Sequence, residues 1–218
     1  MTPITFWFDP ISPYAHLAFE HLPQALEGHS VVVDYKPILF GALLKHHEHK
    51  GPAEIEPKRQ WTFRQVAWLG HQLGIRIDLP AQHPFNPLPL LRLMLAAAPN
   101  TTPSPSLPNR AVVQAVLNHV WHGGLDPLDP QRLQALQQQL APAGDVSGEE
   151  VRTRLRTLTD EAVSKGIFGV PTLEVQGRLF WGLDALPMVK AALSGDPWFE
   201  EQWAHAARRV PGLRRDTP

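Results

Sequence analysis

Apolar and polar positions change period several times along this 218-residue chain. Thr5 to Phe8 is a short aromatic run, and Val31 to Tyr35 is a β-branched run bounded by polar residues and Pro37, so both read as strands. Between them Tyr14, Leu17, Ala18, His21 and Leu22 recur at helical spacing from Pro13 onward. A crossover helix of that length favours parallel pairing of the two strands with a right-handed connection. The middle reads as helices over Trp61 to Leu73, Leu88 to Ala98, Arg110 to Trp121, Gln131 to Leu140 and Glu149 to Lys165. Proline- and glycine-rich turns separate them, and no strand pattern interrupts them. Thr172 to Val175 and Leu179 to Trp181 then read as two strands joined by Gln176-Gly177, followed by a helix from about Asp184 to Leu193.

The predicted layout is therefore α/β: β-α-β, a large all-helical insertion, then β-β-α. Residues 1–40 with 166–195 form the sheet-bearing domain, 41–165 the insertion and 196–218 a C-terminal tail. A helical block held between two sheet-forming halves must pack as a lobe beside the sheet, which places a cleft at the junction. Eight prolines fall between Pro80 and Pro108, and the apolar "LPLLRLMLAAA" among them predicts two rigid loops flanking a packed helix. Arg208, Arg209, Arg214 and Arg215 near the end read as a frayed, solvated tail.

Charge narrows the function classes. Lys+Arg 20 against Asp+Glu 21 gives a net charge of -1, with no basic block before residue 200, so an extended phosphate-binding surface is not expected. No segment reaches roughly 18 uncharged apolar residues and the start carries no positive n-region, so no membrane span or leader is read and a cytoplasmic protein is expected. The chain has no cysteine, which removes every mechanism needing a protein thiolate, a disulfide or a thiolate-held metal.

Two groups of residues invite chemistry. Ser12 followed by Pro13 is a good helix start, with serine at the N-cap and proline at the first helical position. "KHHEHK" offers His46, Glu48 and His49, and His119 with His122 forms an i, i+3 pair. Neither has the spacing of a helical zinc site, and lysines flank the first cluster, so solvated turns are expected and no metal.

Four stretches carry a resemblance: "FDPISPYAHLA" near the N-terminus, "PKRQW" at 57 to 61, "HPFNPLPLLRL" at 83 to 93 and "GIFGVPTLEVQGRLFWGLDALPMV" at 166 to 189. Together they make the chain similar to the 2-hydroxychromene-2-carboxylate isomerase family, relatives of kappa-class glutathione transferases and of thioredoxin-type disulfide oxidoreductases. The resemblance implies a thioredoxin-like fold, glutathione as the bound thiol and a homodimer. It implies that Ser12 contacts the glutathione sulfur at a turn where redox relatives carry Cys-x-x-Cys. It also implies that Val170, before a cis Pro171, pairs with the cysteinyl part of glutathione. Asp184, beside Leu183, would stand near the γ-glutamyl end, although Asp184 also fits an N-cap. Lys58 matches a lysine near the glycyl end, and it also fits a solvated surface. Trp61, Phe85 and Asn86 would line the acceptor-substrate side, a pattern that core packing would equally produce. Leu183 stands where the family has a polar residue, Ala185 where arginine is frequent and Gln65 where an acid is common, so fewer side-chain contacts to glutathione are expected. The activity implied is glutathione-dependent isomerisation of aromatic 2-oxo acids resembling 2-hydroxychromene-2-carboxylate. Kappa-like conjugation or non-catalytic glutathione binding are the alternatives.

Overall fold

The computed structural model describes residues 1–99 and 107–208. Strand β1 (Thr2–Phe8) leads through a turn into α1 (Pro13–Ala25), and β2 (Val31–Pro37) returns parallel to β1, with Thr2 opposite Val31 and Phe8 opposite Pro37. The helical block follows: α2 (Phe40–His46), α3 (Glu56–Leu73), α4 (Leu88–Ala96), α5 (Arg110–Trp121), α6 (Pro130–Leu140) and α7 (Glu149–Ser164). Strand β3 (Thr172–Val175) is antiparallel to β1, β4 (Arg178–Trp181) is antiparallel to β3, and α8 (Leu186–Leu193) completes the expected succession. The resulting four-stranded sheet has the order β2-β1-β3-β4. This is a thioredoxin-like fold carrying a helical insertion.

β1 reads as an unbroken aromatic run because it is central and covered on both faces. Phe6 and Phe8 enter the main core, where Phe6 meets the rings of Phe19 from α1 and Tyr35 from β2. Trp7 points to the other face, into a smaller core with Ile38, Leu43, Ala162, Ile167 and Val170. The main core continues without a break into α4 and α5 through Leu90, Leu91, Val113 and Val116, so the block is fastened to the sheet half by shared apolar burial.

Three differences from the sequence expectation have local causes. Helix α2 was not anticipated; its N-cap, Leu39, makes no side-chain capping bond and only Leu43 is buried along it. Helix α3 starts at Glu56 with a proline in its first turn, five residues before the apolar period begins at Trp61. The segment expected as one helix from Asp184 opens as a 3-10 turn (Leu183–Ala185) before α8. Beyond α8, two short helices, α9 (Trp198–Glu201) and α10 (Trp203–Ala206), are present. Phe199 is buried against the rings of Phe180 and Trp203, and Arg178 on β4 pairs with Glu200, so the chain is docked on β4 as far as Trp203. Arg208 is exposed, whereas Arg209, Arg214 and Arg215 lie outside the described residues.

Candidate active site

The turn between β1 and α1 is held at almost every polar atom. The Asp9 carboxylate accepts from the Ile11 amide at 3.0 Å and from the Phe40 amide at 2.9 Å, tying the turn to the start of α2. The Pro10 carbonyl accepts from the Trp121 indole at 3.0 Å, and the Ile11 carbonyl lies 2.8 Å from His83 Nε2. A carbonyl only accepts, so His83 carries its proton on Nε2. Its Nδ1 is buried without a partner, so a second proton there would be desolvated and unpaired. Burial accordingly pushes the imidazole pKa down, against the Ile11 bond, and Arg59 adds to the lowering.

These contacts aim Ser12, which is only 7 % exposed. Its backbone is extended (φ -88°, ψ 118°), and its Oγ accepts from the Ala15 amide at 3.3 Å as the N-cap of α1. The same hydroxyl donates to the Val170 carbonyl at 3.2 Å. The 158 residues separating Ser12 from Val170 are thus closed by one side-chain bond. The Val170–Pro171 peptide is cis. The Thr172 hydroxyl donates to the Gly169 carbonyl at 2.8 Å, and the Gly182 amide to the Pro171 carbonyl at 2.9 Å. Gly182 has φ +100°, a conformation open to glycine, and the Asp184 carboxylate folds back beneath it where a Cβ would sit.

Two hollows flank the Ser12–Val170 contact and share Tyr14, Pro52, Thr62, Val170 and Trp181. One, about 430 Å³, runs along Pro171, Gly182, Leu183 and Asp184 to Gln65 on α3. There the Tyr14 hydroxyl donates to Gln65 Oε1 at 2.6 Å. Burial raises the Tyr14 pKa, a hydrogen bond with Thr62 opposes it, and the nearby Asp184 charge adds to the rise. The other hollow, about 330 Å³, holds Asp9, Ser12, Phe40, His83 and Phe85. Asp9 is wholly buried, and loss of hydration pushes its pKa up to about 7 against its two amide bonds.

Of the residues singled out in the sequence, Ser12, Val170, Pro171, Leu183 and Asp184 come together here, and Phe85 lines the second hollow. Lys58 is exposed in the first turn of α3, Trp61 is 62 % exposed further along it, and the Asn86 side chain accepts from the Leu88 amide. These three line neither hollow. Asp184 lies inside its 3-10 turn and is not the cap of α8. Asp9, His83 and Trp121 were missed as supports, although Asp9 and His83 stand in the quoted motifs. His119 bonds the Pro127 carbonyl while His122 stands edge-on to His16, and among the described residues no set of three or more His, Asp or Glu converges on a metal site.

Comparison with known proteins agrees with this fold. A 2-hydroxychromene-2-carboxylate isomerase of Sphingobium xenophagum is 25% identical over 197 residues, covering 87% of this chain and 97% of that protein. A glutathione S-transferase kappa 2 of Caenorhabditis elegans is 24% identical over 205 residues, 85% of this chain and 89% of its own. Among solved structures, a 2-hydroxychromene-2-carboxylate isomerase superposes with a TM-score of 0.75 at 19% identity, over 92% of this chain and 98% of the other, a likeness of fold. The family model described as a DSBA-like thioredoxin domain matches residues 3–194, which takes in both strand pairs, the helical block and the Ser12 and Pro171 turns, so the chain belongs to that family.

Proposed function

We propose that this protein is a glutathione-dependent enzyme acting on aromatic electrophiles conjugated to a carbonyl, an isomerase in the first instance. The aromatic 2-oxo acids implied by the sequence resemblance are one such class. The observation carrying this reading is Ser12. It is a serine hydroxyl at the tip of a 13-residue helix, bonded across to the loop before a cis proline, in a chain with no cysteine of its own. Disulfide exchange by protein thiols is therefore closed to it.

The residues present fit a tripeptide thiol. Val170, Pro171 and Gly182 line one groove, where the Val170 main chain would pair with a peptide and Asp184 would meet an ammonium. Bound there, glutathione would supply a nucleophilic sulfur that adds reversibly to an electrophilic carbon and leaves again after rotation in the adduct. Ser12 can turn its O–H from the Val170 carbonyl to the sulfur while still accepting from Ala15. That rotation frees the Val170 carbonyl for a cysteinyl N–H. The positive end of α1 lies at the same point, and the first turn carries no acidic side chain to cancel it.

The gain from acidifying the thiol is limited. Lowering a thiol pKa by about two units from about 8.5 raises the thiolate fraction at pH 7 roughly 25-fold. The accompanying loss of nucleophilicity, at a Brønsted slope of about 0.45, removes about eightfold of that. Alignment of sulfur and acceptor must therefore contribute most, and the many fixed contacts of the Asp9–Ser12 turn are suited to it. Kappa-like conjugation, favoured by relatives named for that activity, uses the same groups and differs in the sulfur staying attached. The reading includes a cytoplasmic homodimer, checked by sedimentation. Calorimetric titration with reduced glutathione, together with product analysis on a benzylidene carbonyl compound, tests the rest. Binding and turnover unchanged by Ser12→Ala would sink it.

A further inference from the structure

We infer that the hollow on the Phe85 side accepts uncharged aromatic carbonyl compounds in preference to their carboxylate-bearing counterparts. The inference rests on the proposed thiol chemistry for the identity of the reaction, but not for the charge of the ligand. At about 330 Å³ the hollow has room for a small aromatic molecule, and Ile11, Leu39, Phe40, Leu44 and Phe85 give it apolar walls. Among the described residues no lysine or arginine lines it; the acidic residues that do are Asp9 and Glu54.

The donors among these lining residues are already engaged. His83 is a neutral donor spent on the Ile11 carbonyl, with its other nitrogen sealed. The Ile11 and Phe40 amides, which would otherwise suit a carboxylate, are taken by Asp9. Glu54 is fixed by the Gly51 amide at 2.6 Å. Arg59 touches the wall from outside; its guanidinium donates to the Ala53 carbonyl at 3.4 Å and it is not among the lining residues. The field at the tip of α1 would fall to the thiol sulfur. A carboxylate entering this hollow would lose its hydration without gaining a counter-ion and would face two acidic groups, whereas a ketone oxygen loses far less. Burial holds Asp9 at a pKa of about 7, so its charge, and with it the bias, grows as pH rises through neutrality. The other titratable groups facing Asp9 across the hollow are Glu54, His83 and Tyr14.

The test uses an unreactive matched pair, benzylacetone and 2-oxo-4-phenylbutanoate, which differ by a methyl in place of the carboxylate. Each is titrated calorimetrically into the full chain, with and without reduced glutathione. Benzylacetone is expected to bind at least about tenfold tighter at pH 8, with the gap narrowing at pH 6 and in Glu54→Gln. Phe85→Trp, which fills the hollow, is expected to weaken benzylacetone. The inference is overturned if the oxo acid binds as well or better, if Arg59→Ala selectively abolishes oxo-acid binding, if Phe85→Trp has no effect, or if neither compound binds. Failure of glutathione to bind while the charge preference persists would remove the thiol reading and leave this inference standing.

Discussion

Tyr14, Pro52, Thr62, Val170 and Trp181 face both hollows, yet what lies beyond them differs. On one side the wall is the cis-proline loop and the Gly182–Asp184 turn of the sheet half, met by Gln65 and Leu69 of α3. On the other it is side chains from the helical block, Phe40, Leu44, His83 and Phe85, over one buried acid. Main-chain walls recognise a peptide-like ligand by hydrogen bonds that tolerate sequence change, whereas side-chain walls are rewritten by each substitution. On the proposed reading, the helical block would set which acceptor is admitted and the sheet half how the thiol is held.

Breaking the seam between the two sides should have the largest effect. Ser12→Ala removes a donor that a sulfur anion would use, and turnover with glutathione should fall about ten- to hundredfold, measured as kcat/KM. Loss of the cap should also cost about 1 kcal/mol in urea unfolding.

Next comes Asp9→Asn. The folded protein holds the Asp9 proton up to about pH 7, against a reference value of 3.8, so this residue makes the protein less stable as pH rises through that window. His16, also buried, acts oppositely: its pKa is lowered to about 4, so its contribution is lost as pH falls from 6.5 towards 4. The variant-minus-wild-type difference isolates Asp9. It should move in favour of Asp9→Asn by about 3 kcal/mol between pH 5 and pH 8, and a flat difference would mean that Asp9 is charged throughout.

His83→Phe strands the Ile11 carbonyl and should destabilise by about 1 kcal/mol or more, with kcat reduced more than KM is raised. His83→Gln, which can donate to the same oxygen, should recover part of both. The smallest change is expected for Lys58→Ala: an exposed side chain outside both hollows should alter the KM for glutathione by about threefold or less. A larger loss would show that the lysine closes over the bound tripeptide.

Much of this was legible in residue order. The aromatic and β-branched runs gave β1 and β2, the Gln176-Gly177 turn gave the β3–β4 hairpin, and the one-sided apolar period gave α5 from Arg110 to Trp121. The importance of Ser12 and Val170 came from resemblance, since the dipeptide Ser12-Pro13 alone is simply a helix start. What stayed hidden were Asp9, His83 and Trp121. His83 and Trp121 act on carbonyls 72 and 111 residues away in sequence, and a carbonyl's need for a donor leaves no mark on the side chain that carries it. Lys58, Trp61 and Asn86 show the converse: a matching position in a motif does not fix where a long or surface side chain points.

Gly169 passed without a role in the sequence, yet any Cβ at that position would run into the Trp181 indole, which lies across the bare backbone there, with Phe168 edge-on to it at 4.9 Å. Trp181 lines both hollows, so where its indole lies between them depends on a methyl group that is missing. Gly169→Ala would displace the indole from the wall that the two hollows share.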